Sequence, residues 1–294
     1  MSHITVGVDG SKGSVQALKW AAAEACLGGY DLEILHALDI PNTGDVEVPI
    51  RYSTVTMAQL EKFSDDLLAI SARTVAEVEP DLEVWTRSAF GMAPAVLINA
   101  SREAARIVVG SRGLGALEGF IGSVGLKVAA KAKCPTFVIP GRASESATIG
   151  RIVVAVDDSE CSLPAVRMAL QEARLRNTSM IAINCYQLPM VSVPTDPDPT
   201  APYTRFEHRR AVAMVEGIVD QARTDETSSV EVKVIAEEGP AVETILEYAQ
   251  DAPLIVVGSH GRGRIGRVLL GSVSSRLLHQ ADRPVAVVTN PEDD

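Results

Sequence analysis

The chain has 294 residues, 46% of them apolar and 22% charged, which is the composition of an ordinary globular protein. Its formal net charge of −11 argues against a general nucleic-acid or anionic-membrane binder, although a local basic patch is compatible with it. No run approaches the roughly 18 apolar residues of a membrane span, and the N-terminus lacks a basic-then-apolar signal pattern, so a cytoplasmic location is the default expectation.

In chain order, Ile4–Asp9 reads as a strand and Ser14–Leu27 as an Ala-rich helix stopped by Gly28-Gly29. Leu32–Ala37 reads as a second strand, and Pro41 to Thr54 as a loop. Met57–Val78 is a long amphipathic pattern, with Leu60, Phe63, Leu67, Ile70 and Val75 near helical spacing. Leu82–Ser88 is a third strand. Pro94 suits the first turn of a helix running to Ser101, where a missing N–H costs little. Ile107–Gly110, Ser123–Ala132 and Pro135–Pro140 complete the series as strand, helix and strand.

After the polar linker Gly141–Thr148 the order repeats: Ile152–Asp157, Pro164–Arg176, Met180–Tyr186, Phe206–Thr224, Val230–Ala236, Ala241–Gln250, Leu254–Gly258, Ser272–Gln280 and Val285–Val288. The segment Pro189–Pro202, with five prolines and two aspartates, reads as an extended solvent loop. Apolar, β-branched strands alternating with helices predict an α/β fold with a parallel sheet covered on both faces. The four cysteines show no C-x-x-C spacing and read as buried or incidental thiols. Trp20 and Trp85 read as packing residues. His36 reads as a core or loop histidine, and His208 with Glu207, Arg209 and Arg210 as a solvated helix face.

The repeat extends to the letters. Val6-Gly7-Val8-Asp9-Gly10-Ser11 returns 148 residues later as Val154-Ala155-Val156-Asp157-Asp158-Ser159. Ile107-Val108-Val109-Gly110-Ser111-Arg112-Gly113 returns as Ile255-Val256-Val257-Gly258-Ser259-His260-Gly261, and Gly122-Ser123-Val124 as Gly271-Ser272-Val273. A period of this length is that of a whole domain, not a solenoid repeat. The chain is therefore expected to hold two domains, residues 1–143 and 149–294.

In the second copy, Gly258 to Ser272 leaves a strand and enters a helix. Its glycines permit close backbone approach to a ligand. Gly271-Ser272 opens a helix whose N–H groups and dipole favour an anion, with Ser272 as an expected N-cap. Arg262, Arg264 and Arg267 add three positive charges suited to a polyphosphate. Asp157 ends the first strand of this copy, where an open α/β sheet binds ligands. It could hold ribose hydroxyls or, like Asp9 in the first copy, a phosphate-bound Mg²⁺. The alternative is that Asp157 or Ser159 merely caps the next helix and the glycines only form a turn.

The pattern G-x-x-G, nine residues, then G-[ST] after a strand resembles the ATP-binding motif of universal stress proteins, and Gly258, Gly261, Gly271 and Ser272 match it. The strand ending in Asp-x-Ser and the Arg-Pro before the last strand resemble that family too, over essentially the whole chain. The resemblance implies two tandem Rossmann-like domains of the adenine nucleotide alpha hydrolase type, each a five-stranded parallel sheet of order 3-2-1-4-5. It implies ATP with Mg²⁺ as ligand, held in the second copy by Asp157, Ser159, Gly258, Gly261, Gly271, Ser272 and Val273. The adenine contact would fall at the end of the second strand, on Cys185 or, in the first copy, Ala37. It also implies pairing through the last strands, Phe137–Pro140 and Val285–Val288, which would join the halves into a pseudo-dimer and chains into a homodimer.

The first copy keeps Asp9, Ser11, Gly110, Gly113, Gly122, Ser123 and Val124. However, only eight residues separate Gly113 from Gly122, none of them basic, and one is Glu118. Weaker ATP binding is expected there, since a charge-assisted hydrogen bond is worth about 1.5–3 kcal/mol. Three functions follow. The first is an ATP-binding regulatory protein of a stress response, acting on a protein partner that the residues do not name. The second is a slow ATP hydrolase or nucleotidyl transferase, for which Asp9, Asp157 and His260 are the near candidates. The third is an assembly module without nucleotide. No Ser-His-Asp order, H-E-x-x-H or lysine-bearing Walker loop is present, so no catalytic constellation is expected.

Overall fold

The computed structural model describes residues 2–39, 57–111, 122–141, 150–187, 201–261 and 270–289, with side chains of 201–203 excepted. Two compact units, Met1–Ala143 and Ser144–Asp294, divide the chain. Unit 1 runs β1 (His3–Gly7), α1 (Lys12–Gly28), β2 (Asp31–Leu38), α2 (Met57–Val78), β3 (Val84–Phe90), α3 (Ala93–Ala100), β4 (Arg106–Gly110), α4 (Ser123–Lys131) and β5 (Thr136–Ile139). Unit 2 runs β6 (Ile152–Ala155), α5 (Ser162–Leu175), β7 (Met180–Tyr186), α6 (Ala201–Ala222), β8 (Val232–Glu238), α7 (Ala241–Tyr248), β9 (Ile255–Gly258), α8 (Ser272–Gln280) and β10 (Val285–Val288).

Every strand pair within each unit is parallel. Unit 1 has the order β3-β2-β1-β4-β5. Unit 2 has the order β8-β7-β6-β9-β10. Helices α1 and α2 pack together, as do α3 and α4, so both faces of the sheet are covered; α5 with α6 and α7 with α8 repeat this. The central strands are apolar on both sides because both sides are buried: Ile4, Val6, Ile107 and Val108 are at 0% exposure, and so are Val153, Val154, Ile255 and Val256.

Local chemistry sets the helix ends. Ser11 Oγ accepts the Ser14 N–H at 3.1 Å and caps α1. At the other end Gly29 takes the left-handed conformation, with φ +67°. Asn177 does the same after α5, with φ +49°, asparagine being the side chain that tolerates this region best. Pro94 lies in the first turn of α3.

Three expectations need correction. The edge strands β3 and β8 each begin and end two residues later than their apolar patterns suggest. An edge strand has one neighbour, and its span follows register: β3 pairs Leu32↔Val84 through Leu38↔Phe90, while Leu82 is held in a turn by Glu79. Likewise β8 pairs Met180↔Val232 through Tyr186↔Glu238, while Val230 closes a turn onto Thr227. Second, α6 starts at Ala201, so Pro202 belongs to a helix's first turn and not to the preceding loop. Third, the buried stripe of α2 is Ser64, Leu68, Ser71 and Val75, and Phe63 and Ile70 face outward. Small serines let α2 sit close to β2, where His36 Nδ1 meets Ser64 Oγ at 2.8 Å. The expected loop Pro41–Thr54 lies outside the described residues, as do 189–200 of the proline-rich segment.

Buried charges are paired within each unit. Glu24 of α1 meets Arg106 of β4 in a buried ion pair, and the guanidinium lies over the Tyr30 ring at 5.0 Å. At the same place in unit 2, Glu172 of α5 is met by Arg176, four residues along its own helix. Glu33 of β2 accepts hydrogen bonds from Thr5 Oγ1 (2.7 Å) and Arg87 Nε (2.6 Å). Trp20 stacks near Phe137, with ring centroids 5.0 Å apart, and Trp85 meets His3 edge-on.

Candidate nucleotide site

Strands β6 and β9 are neighbours in unit 2, paired Val153↔Ile255 and Val154↔Val256. From them the sheet grows in opposite directions, to β7 on one side and β10 on the other. That reversal opens a crevice beyond the strands' C-terminal ends, the place where open α/β sheets take ligands. A cavity of about 510 Å³ lies there. Asp157, Asn184, Cys185, Gly258, His260, Gly261, Gly271, Ser272 and Val273 are among the residues that line it.

Asp157 follows β6 by two residues and is tightly oriented. Its Oδ1 accepts from the Ser159 N–H (3.1 Å), Ser159 Oγ (2.5 Å) and Ser162 Oγ (2.9 Å). Ser162 Oγ in turn accepts the Asp157 N–H at 2.9 Å. With Oδ1 saturated, Oδ2 faces the glycine loop: a Cβ on Gly261 would lie 2.8 Å from it. Ser159 therefore orients Asp157 and does not cap α5, whose N-cap is Cys161.

The stretch after β9 is anchored by its backbone. The Ser259 N–H donates to Val288 O and the Gly271 N–H to Ser259 O, both at 2.8 Å. Ser274 Oγ donates to Gly271 O (3.0 Å) and lies 3.2 Å from Ser259 O. Gly258 is required by space, since a Cβ there would stand 2.7 Å from Cys161 Cβ.

Gly271, not Ser272 as expected, is the N-cap of α8, with φ −60° and ψ 157° and no side-chain cap. A serine cap would fold its hydroxyl over the helix end. With glycine there, Ser272, Val273 and Ser274 keep N–H groups with no hydrogen-bond partner among the described residues, all on residues lining the cavity. Arg262, Arg264, Arg267 and, in the first unit, Gly113 lie outside the described residues.

The opposite wall comes from β7, α6 and α7. Ile183, Cys185, Ala241 and Ile245 make it largely apolar. Burial pushes the Cys185 thiol up, partly offset by a hydrogen bond from Thr244. Glu207 lines the cavity too, so the solvated face expected on α6 is limited to His208, Arg209 and Arg210, which are exposed. Two buried polar atoms on residues that line this cavity have no hydrogen-bond partner among the described residues: Asn184 Oδ1 and His260 Nε2. The sequence reading missed Asn184 and Ser162. A lone amide inside the apolar run Met180–Tyr186 was the available signal for the first. The second was hidden because its partner, Asp157, is contacted only through the turn.

Unit 1 places its equivalents similarly but uses them differently. The Ser11 N–H donates to Asp9 Oδ1 at 2.9 Å, yet Ser11 Oγ caps α1. Gly110 ends β4 so close to α1 that a Cβ would lie 2.6 Å from Gly13 O. The Gly122 N–H donates to Ser111 O (2.6 Å), and Gly122 is the N-cap of α4, ahead of Ser123 and Val124. Ala37 is the penultimate residue of β2, as Cys185 is of β7.

Two Rossmann-like units, each with an Asp-bearing strand end opposite a glycine-capped helix, define the class. The chain belongs to the universal stress protein family, matching it over residues 1–140 and again over 148–289. It is 29% identical over 295 residues to Universal stress protein Rv2005c of Mycobacterium tuberculosis, covering 97% of this chain and 96% of the relative. A universal stress protein of Mycolicibacterium smegmatis is 30% identical over 291 residues, with the same coverage. The crystal structure of a universal stress protein from Archaeoglobus fulgidus shares the fold, with TM-score 0.69 at 19% identity over 98% of this chain and 99% of that one.

Proposed function

We propose that the unit 2 cleft binds ATP and that the chain is a nucleotide-dependent regulatory protein of a stress response. The observation that carries this reading is the coincidence, in one cavity, of uncapped α8 N–H groups with two buried polar atoms lacking partners. Buried polar groups are nearly always satisfied, so a cavity that leaves two of them open fits a polar ligand. The polyphosphate would lie at the α8 N-terminus, with Arg262 and Arg264 adding charge, the ribose against Asp157 Oδ2, and the base towards β7.

Mg²⁺ fits only as a passenger on the phosphates. Among the described residues no cluster of three or more His, Cys, Asp or Glu side chains is arranged to hold a metal. Asp157 offers one oxygen beyond its internal hydrogen bonds, in keeping with a cation carried mostly by phosphate and water.

ATP would act by favouring one conformation of a surface read by a partner protein or a second copy of the chain, through its difference in affinity for two states. We propose binding and not catalysis, and turnover above about 1 s⁻¹ would overturn that part. The direct test is to denature freshly purified protein and count released nucleotide, then titrate with Mg-ATP. About one ATP per chain supports unit 2 as the stronger site. Two refute the asymmetry, and no binding in either experiment refutes the nucleotide reading.

A further inference from the structure

Asn184 is the fifth residue of β7, and His36 has the corresponding place in β2. In unit 1 this polar group is used internally, His36 Nδ1 meeting Ser64 Oγ on α2 at 2.8 Å. In unit 2 it is only half used. Asn184 Nδ2 donates to Val156 O at 2.7 Å. A carbonyl can only accept, so this bond fixes the amide's orientation and prevents a flip. The other end, Oδ1, is an acceptor in a residue 2% exposed, with no partner among the described residues, in the wall of the cavity. A buried acceptor left open costs free energy until a donor arrives.

The order β7-β6-β9 lays the cleft out in sequence. The uncapped α8 terminus and glycine loop follow β9, Asp157 follows β6, and Asn184 lies on β7, furthest from the anion end. Tyr186, Gln187 and Glu207 also carry acceptors on this wall, and Glu207 has Arg210 at 3.6 Å. Resting on the nucleotide reading above, we infer that Asn184 is a specificity-determining residue: its Oδ1 accepts a hydrogen bond from the exocyclic amino group of a 6-aminopurine. The cleft then selects adenine by a side chain that unit 1 lacks.

The test measures binding of ATP, purine riboside 5′-triphosphate (the amino group replaced by hydrogen) and 2′-deoxyATP to the full chain. Two variants accompany it. Asn184→Leu removes the acceptor at similar volume. Asn184→His installs the residue that this fold already accommodates in unit 1. Wild type should prefer ATP to the purine riboside nucleotide by about tenfold or more. Asn184→Leu should lose that preference, with affinity for the analogue near the wild-type value, whereas Asn184→His keeps an acceptor nitrogen and serves as a check that the cleft tolerates substitution. Equal binding of the two by wild type, or a preference that survives in folded Asn184→Leu, overturns the role of Asn184 and leaves the nucleotide reading standing. A wild-type preference for ATP over 2′-deoxyATP that Asn184→Leu abolishes assigns Oδ1 to the sugar and also overturns it. Binding of none of the three by wild type overturns both.

Discussion

Gly261 faces Asp157 so closely that a Cβ on Gly261 would lie 2.8 Å from Asp157 Oδ2. That carboxylate cannot swing aside, because Oδ1 is held by Ser159 and Ser162. Gly261→Ala is therefore expected to push the glycine loop away from Asp157 and lower ATP affinity at least tenfold, with thermal stability within about 1 kcal/mol of wild type. Gly113→Ala, at the matching place in the first repeat, should change total ATP binding little. Calorimetric titration of both variants checks this, and equal losses would refute the asymmetry.

Gly258 and Gly110 meet harder obstacles. Their added Cβ atoms would lie 2.7 Å from Cys161 Cβ and 2.6 Å from Gly13 O, neither of which is the tip of a flexible side chain. Alanine at either place should destabilise its unit by about 1–3 kcal/mol through overpacking. Denaturant melts read the effect, and an unchanged midpoint for Gly110→Ala would contradict the close β4–α1 approach.

Acid should act on unit 1 through Glu33. Burial pushes its carboxyl up, but hydrogen bonds from Arg87 and Thr5 outweigh this and leave the pKa below the ordinary glutamate value. A lowered folded-state pKa gives stability that is present above the unfolded value, about 4.3, and is lost as pH falls through the folded one. Glu33→Gln should cost about 1–3 kcal/mol near pH 7, and its stability curve should converge on wild type as pH drops below that window. Curves that stay parallel in acid would exclude this role.

Thiol chemistry offers a ligand readout. Cys185 lines the cavity and burial pushes its thiol up, whereas Cys26 is exposed, lies on α1 of unit 1 and is not among the residues lining the cleft. Because the thiolate is the reactive form, alkylation of Cys185 is expected to be slow. Saturating ATP should slow it further and leave Cys26 unchanged. Mass-mapped alkylation time courses decide it, and a Cys185 rate indifferent to ATP would place the nucleotide elsewhere.

The alternation of apolar runs and helical patterns made the parallel sheet and its covering layers legible, the family resemblance implied the strand order, and elements such as β10 and α8 matched residue for residue. β3 and β8 did not, because pairing to β2 and β7 sets their span and their own hydrophobicity does not. At the site, motif spacing brought Asp157, Gly258, Gly261 and Gly271 into one crevice. It could not reveal which serine caps and which orients, since Ser11 and Ser159 are identical letters in different hydrogen-bond networks. Asn184 escaped because its significance lies in a missing partner, which only coordinates expose.

Glu24 and Glu172 stand at matching places in the repeat, yet one is neutralised by Arg106 across the sheet and the other by Arg176 along its own helix. The letters complete the contrast: Gly28 matches Arg176, and Leu254 matches Arg106. The halves have thus ceased to be interchangeable in parts. A recombinant carrying α1 beside β9 would bury a carboxylate with no cation, and one carrying α5 beside β4 would bring two guanidinium groups to a single carboxylate. Each half is therefore a unit of exchange as a whole, and its single elements do not fit its twin.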